Sequence, residues 1–184
     1  AGAMIIRWAR KHAAAYDANL PQRFHLGNVP RIGGVALLCG TVAAWGLGYL
    51  QTTFRGDGAS LSMGGWIWGW LLVMLPAVLG GVIEDMTQRL SVRYRLTLTA
   101  ASGLLAVLWL GLTVSYTAIP GLDTLITMAP WIGGAIALLA IAGLPHAFNI
   151  IDGYNGLAGS VALVVCLALA HVALQVGDRE LAAM

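Results

Sequence analysis

The chain has 184 residues, 59% of them hydrophobic and 10% charged, with a formal net charge of +2 and a mean hydropathy of +0.80. So few charges cannot clothe a soluble domain of this size, which excludes a water-soluble globular class and a nucleic-acid-binding surface alike. What remains is an all-α, polytopic transmembrane helix bundle seated in a lipid bilayer.

Five charge-free windows, at residues 32–54, 58–83, 96–122, 124–151 and 153–177, each reach the roughly 20 residues a helix needs to cross a hydrocarbon core about 30 Å thick. The helical cores are expected at 35–54, 66–83, 96–115, 130–147 and 157–176, within one membrane domain covering 1–184. The Trp66, Trp68 and Trp70 cluster marks an interface at headgroup depth. The fourth core is short and Gly-rich and is expected to end at Pro145, with a re-entrant hairpin as the alternative. Cys39 and Cys166 fall inside apolar windows and read as small buried side chains, with no disulfide framework. The opening Ala-Gly-Ala-Met and the stop soon after the last helix suggest an excerpt of something longer.

Orientation follows from the basic residues. Arg7, Arg10, Lys11, Arg23 and Arg31 precede the first helix, and Arg89, Arg93 and Arg95 lie between the second and third; only Arg55 and Arg179 fall elsewhere. The positive-inside rule then places segments 1–34, 84–95 and 148–156 in the cytoplasm and 55–65, 116–129 and 177–184 outside.

The three cytoplasmic segments hold nearly every polar residue able to perform chemistry. Residues 23–34 contain Arg23, His25, Pro30, Arg31, Gly33 and Gly34, an irregular loop before a helix that can offer amide N–H groups and an Arg fork to phosphate oxygens; its plainer reading is a basic interfacial anchor. Next comes Gly81-Val82-Ile83-Glu84-Asp85, whose adjacent carboxylates at a membrane boundary need a cation or a polar setting. Mg²⁺ would suit them, and so would ion pairs with Arg89 or Arg93. The third segment is His146-Ala147-Phe148-Asn149-Ile150-Ile151-Asp152-Gly153-Tyr154-Asn155-Gly156-Leu157-Ala158-Gly159. If helical, it aligns Asn149, Asp152 and Asn155 on one side and Gly153, Gly156 and Gly159 on another; polar glue between helices is the plainer reading. Elsewhere, His171 shows no evident partner, and Asp123 and Asp178 look like ordinary loop solvation.

Together the three segments resemble the polyprenyl-phosphate N-acetylhexosamine-1-phosphate transferases, glycosyltransferase family 4. The matching stretches are Arg23-Phe24-His25 with Pro30-Arg31-Ile32-Gly33-Gly34, then Gly81 to Asp85, then His146 to Ala158, in the family's order and spacing. Two departures stand out: Glu84 occupies the place of the family's first Asp, and His146 that of its usual Asn. The resemblance implies transfer of a sugar 1-phosphate from a UDP-N-acetylhexosamine or related UDP-sugar to undecaprenyl phosphate, releasing UMP at the cytoplasmic face of a bacterial inner membrane. Mg²⁺ is the implied cofactor, with Mn²⁺ as its substitute, and a homodimer is compatible with it. By the same resemblance Asp85, Glu84 and Asp152 are catalytic, Asn149 and Asp152 hold the metal, and His25, Arg31, Gly33, Gly34, Gly153 and Asn155 border the substrates. A transporter or non-catalytic scaffold with an ion site at Asp152 is the alternative from another class.

Overall fold

A computed structural model describes residues 33–55, 66–87, 89–151 and 156–183. They form helices α1 (Gly33–Arg55), α2 (Trp66–Thr87), α3 (Val92–Trp109), α4 (Pro120–Met128), α5 (Trp131–Ile151), α6 (Leu157–Gln175) and α7 (Arg179–Ala183), with no strand among the described residues. The fold is thus an all-α, polytopic membrane bundle. Stretches within α1, α2, α5 and α6 are long and apolar enough to cross a membrane. Helix α3 has 18 residues, roughly 27 Å at 1.5 Å per residue, but Arg93 and Arg95 in its opening turns make it more polar than those four. Large side chains such as Leu37, Leu139, Leu163 and Leu167 are exposed on the chain, as they must be where the surroundings are lipid rather than water. Cys39 and Cys166 are likewise free and exposed rather than buried.

The described residues fall into two compact units, one drawn from the chain up to Ile67 and from Phe148 onward, the other covering residues 68–147. In the second unit, α3 is the central element. A β-carbon placed on Gly80 of α2 would lie 2.9 Å from Leu98 Cδ1, and one on Gly69 would lie 3.0 Å from Leu110 Cδ2. Between these contacts the Ala77 N–H donates to Ser102 Oγ at 3.0 Å. Pro76 precedes Ala77 inside α2; a helical proline loosens the turn around it, and a hydroxyl from a neighbouring helix then satisfies a backbone donor that lipid cannot. These pairs run in opposite sequence directions, so α2 and α3 are antiparallel.

Helix α5 packs on α3 by the same device. A β-carbon on Gly103 would sit 3.1 Å from the Leu138 carbonyl oxygen, and one on Gly134 would sit 3.3 Å from Val107 Cγ1. Again the pairing runs in opposite directions. Both α2 and α5 are antiparallel to α3, so their C-terminal ends gather beside the N-terminal end of α3. Helix α5 also continues through Pro145 to Ile151, where the sequence suggested a stop; prolines are tolerated in membrane helices whose neighbours repair the backbone.

At the opposite end, α3 stops at Trp109 rather than near residue 115. Gly111 follows with φ +67°, the left-handed conformation that terminates helices and suits glycine. The connection to α5 is built around Asp123, whose Oδ1 accepts from Thr117 N at 2.7 Å and from Thr117 Oγ1 at 2.6 Å. Asp123 therefore organises this loop instead of merely solvating it, and Pro120 opens the unexpected helix α4 at a position where its missing N–H costs nothing. The Val114 N–H reaches the Gly133 carbonyl at 3.2 Å.

In the first unit Trp45 of α1 and Ala173 of α6 are buried, and α6 packs on α7. His171 is partnered after all, its Nε2 lying 3.0 Å from Gln175 Nε2 one turn along α6. Asp178 caps α7 through the Leu181 N–H at 2.9 Å.

A β-carbon on Gly133 would fall on the Val114 carbonyl, whereas Gly143 on the same helix has nothing within 4 Å. Gly133→Ala is expected to lower the melting temperature in detergent, whereas Gly143→Ala should leave it equal or slightly higher, since alanine favours the helix by about 1 kcal/mol. Equal responses would contradict this packing.

Candidate active site

Glu84 and Asp85 occupy the last turn of α2, both half-buried. Glu84 Oε2 accepts the Leu90 N–H at 3.0 Å, and Oε1 lies 3.8 Å from Arg95 Nη1, with both side chains 27% exposed. The cation beside Glu84 is therefore Arg95, whereas Arg89 and Arg93 are exposed. Helical geometry explains the choice: Arg95 is one turn before Leu98, the residue packed on Gly80, and so lies on the face of α3 turned toward α2. At this exposure and distance the pair is worth roughly 0–1 kcal/mol; the hydrogen bond to Leu90 fixes the turn more firmly. The Arg95 Nε is buried without a hydrogen-bond partner. Nearby, Thr87 Oγ1 donates to the Ile83 carbonyl at 2.7 Å and accepts the Arg89 N–H at 3.4 Å, so hydroxyl and carboxylate together cover the polar groups where α2 ends.

One turn beyond Arg95, buried Thr99 lies 3.1 Å from His146 Nε2 of α5. This contact joins the N-terminal half of α3 to the C-terminal part of α5, which then carries Asn149, one turn further and exposed, before ending at Ile151. Within the second unit, segment 84–95 and His146 thus lie at one end of the α2–α3–α5 packing.

The continuous helix considered for residues 146–159 is not formed. Gly156 has φ +77° and precedes α6 as its N-cap, a conformation no right-handed helix contains, so no single helix runs through it from α5 into α6. Nothing lies within 4 Å of a β-carbon on Gly156 or Gly159; the role of Gly156 is conformational, and the glycines that admit a close neighbour are Gly80, Gly103, Gly133 and Gly134. Gly33 and Gly34 open α1 and are exposed, with first-turn amides that have no intrahelical acceptor. His25, Arg31, Asp152, Gly153 and Asn155 lie outside the described residues.

No group of three or more His, Cys, Asp or Glu side chains gathers among the described residues. Asp85 carries a carboxylate and Asn149 an amide oxygen, each a hard ligand of the kind Mg²⁺ accepts while it keeps waters and phosphates in its other positions. In the sequence, Arg95 counts only as one of the basic residues between two helices, and Thr99 is not singled out. One signal could have found them: Arg95, Thr99 and Ser102 follow helical spacing and are the polar residues of a face otherwise buried among apolar neighbours.

Comparison with known proteins identifies a family. The family model described as "Glycosyl transferase family 4" matches residues 67–184, which takes in α2 to α7. A curated protein of Bacillus subtilis (strain 168), "Probable undecaprenyl-phosphate N-acetylglucosaminyl 1-phosphate transferase", is 26% identical over 163 residues, covering 89% of this chain and 42% of that protein. The chain therefore spans less than half the length of that relative. No solved structure matches.

Removing the Glu84 carboxylate should leave the Leu90 N–H without its acceptor, a loss of about 1–2 kcal/mol locally. Glu84→Ala is expected to speed hydrogen exchange at residues 88–91 while exchange in α6 stays unchanged; unaltered exchange in that turn would contradict the clamp.

Proposed function

The chain belongs to glycosyl transferase family 4, and on that footing we propose that it transfers a sugar 1-phosphate from a UDP-N-acetylhexosamine or related UDP-sugar to undecaprenyl phosphate. An oxygen of the lipid phosphate attacks the β-phosphorus of the donor. The bond from that phosphorus to the oxygen bridging the two phosphates breaks, UMP leaves with the bridging oxygen, and a lipid-linked diphosphate sugar remains. Such a reaction, an early step in building an envelope glycan, needs a site at the headgroup level open to the cytoplasm of a bacterial inner membrane. There the acceptor phosphate and a water-soluble nucleotide sugar can meet. The observation that best supports this reading is the end of the second unit where the acidic last turn of α2, with Glu84 and Asp85, meets Arg95 at the basic start of α3.

Phosphoryl transfer asks for positioning and charge neutralisation rather than covalent chemistry from the protein. In this reading Asp85 engages the lipid phosphate and takes its proton where one is present, with Glu84 beside it. Asn149 and Asp152 hold Mg²⁺, or Mn²⁺ in its place; the bound ion would supply charge neutralisation at the diphosphate. Gly153 and Asn155 border the nucleotide, and His25, Arg31, Gly33 and Gly34 present donors to phosphate oxygens. A homodimer is compatible with the reaction but not required by it.

The test is UMP release by the full-length protein in detergent, given undecaprenyl phosphate and a panel of UDP-N-acetylhexosamines. Asp85→Ala and Asp152→Ala are each expected to cut turnover by about a hundredfold or more at unchanged expression and melting temperature, and chelation of divalent cations should abolish it reversibly. Near-normal turnover in both variants would remove the assignment. No release with any donor from folded protein would favour the transporter or scaffold.

A further inference from the structure

The Thr99–His146 contact has features that ordinary helix packing does not demand. Thr99 is 8% exposed, and its Oγ1 lies 3.0 Å from the Leu96 carbonyl and 3.2 Å from the Arg95 carbonyl. A hydroxyl has one hydrogen to give; directed at those carbonyls, it leaves the oxygen to accept from His146 Nε2–H at 3.1 Å. In that arrangement the imidazole is the Nε2–H donor; with the other tautomer the hydroxyl donates to Nε2 instead, and either way the contact holds the ring against α3. The same stretch of α3 holds Arg95, which faces Glu84 Oε1. Two consecutive turns of α3 therefore grip the acidic end of α2 and, through His146, the end of α5.

We propose that Thr99 and His146 are a positioning pair that sets the rotation and depth of the α5 terminus, and with it the placement of Asn149. Asn149 is three residues beyond His146, on the same side of α5. The Thr99–His146 bond is the cross-helix polar contact nearest that terminus among the described residues; beyond it α5 continues only to Ile151. A small rotation there displaces the Asn149 amide, and displacements of about 1 Å at a reacting centre cost up to a hundredfold in rate. Histidine at this place supplies the reach to Thr99 that a shorter side chain lacks. The inference rests on the transferase reading above, in which Asn149 is a metal ligand. Neither Thr99 nor His146 touches substrate in it.

The experiment is a double-mutant cycle on the full-length protein in detergent, with Thr99→Val, His146→Leu, both together, and His146→Gln, whose amide nitrogen reaches about as far as Nε2. UMP release is followed against Mg²⁺ concentration, and each variant is melted. Each single substitution is expected to lower turnover about tenfold to a hundredfold and to raise the half-saturating Mg²⁺ concentration several-fold. The double variant should be no worse than the worse single one, and His146→Gln should recover most of the loss in both readings. Turnover and Mg²⁺ dependence like the unmodified protein's in both single variants would overturn the pairing, as would losses that multiply in the double variant. So would a fall in turnover that follows melting temperature with Mg²⁺ dependence unmoved, or His146→Gln as impaired as His146→Leu. No UMP release by the unmodified protein would overturn the transferase reading itself, a result distinct from all of these.

Discussion

Gly80 against Leu98 and Gly103 against the Leu138 carbonyl bring two helices onto α3 so closely that a side chain at either glycine would have to displace its neighbour. In lipid, apolar side chains gain nothing by leaving solvent, so helices hold together by backbone approach, shape and the few hydrogen bonds that cross between them. The same contacts set direction: α2 and α5 both oppose α3, and their C-terminal ends must fall together. The acidic pair, the basic start of α3 and His146 of α5 share one end of this unit because of where two glycines were placed. Polar contacts then refine that end. Ser102 repairs the backbone beside Pro76, Glu84 holds the turn at Leu90, and Thr99 meets His146.

Much of this could be read from the sequence because a membrane makes composition legible. Charge-free windows marked the apolar helices, and the expectation of an all-α bundle needed no more than their lengths. Helix ends were harder to read. Trp109 ends α3 because Gly111 turns left-handed, an effect invisible in a hydropathy run that continues to residue 122. Pro145 looked like a terminator, yet α5 runs past it, as membrane helices tolerate. The start of α6 at Leu157 agrees with the connecting segment expected at 148–156, although the spacing of Asn149, Asp152 and Asn155 was equally compatible with a helix; the left-handed φ of Gly156 leaves no trace in spacing. Pairing was the least legible. Nothing in the order Arg89, Arg93, Arg95 tells which cation faces Glu84 until the Leu98–Gly80 contact fixes the rotation of α3.

The separation of roles at the candidate site follows from the same geometry. A phosphoryl transferase needs oxygen ligands, cations and a proton acceptor held still relative to one another, and rigid helix ends serve better than loops. Glu84 has both oxygens engaged within the protein, which suits it to fixing the turn, and Asp85 follows it on the same helical turn. His146 and Thr99 act one helix turn before Asn149. The site-bearing ends thereby gain a supporting layer drawn from α3, a helix that supplies none of the residues assigned to metal or nucleotide.

The central claim is that the β-phosphorus of a nucleotide sugar moves to the lipid. Incubating the full-length protein with undecaprenyl phosphate and UDP-N-acetylhexosamine labelled at the β-phosphorus, beside donor labelled at the α-phosphorus, tests this most directly. The account predicts β-label in the organic-extractable lipid and α-label in water-soluble UMP. Sugar reaching the lipid without β-label, or no transfer at all from folded protein, would contradict it.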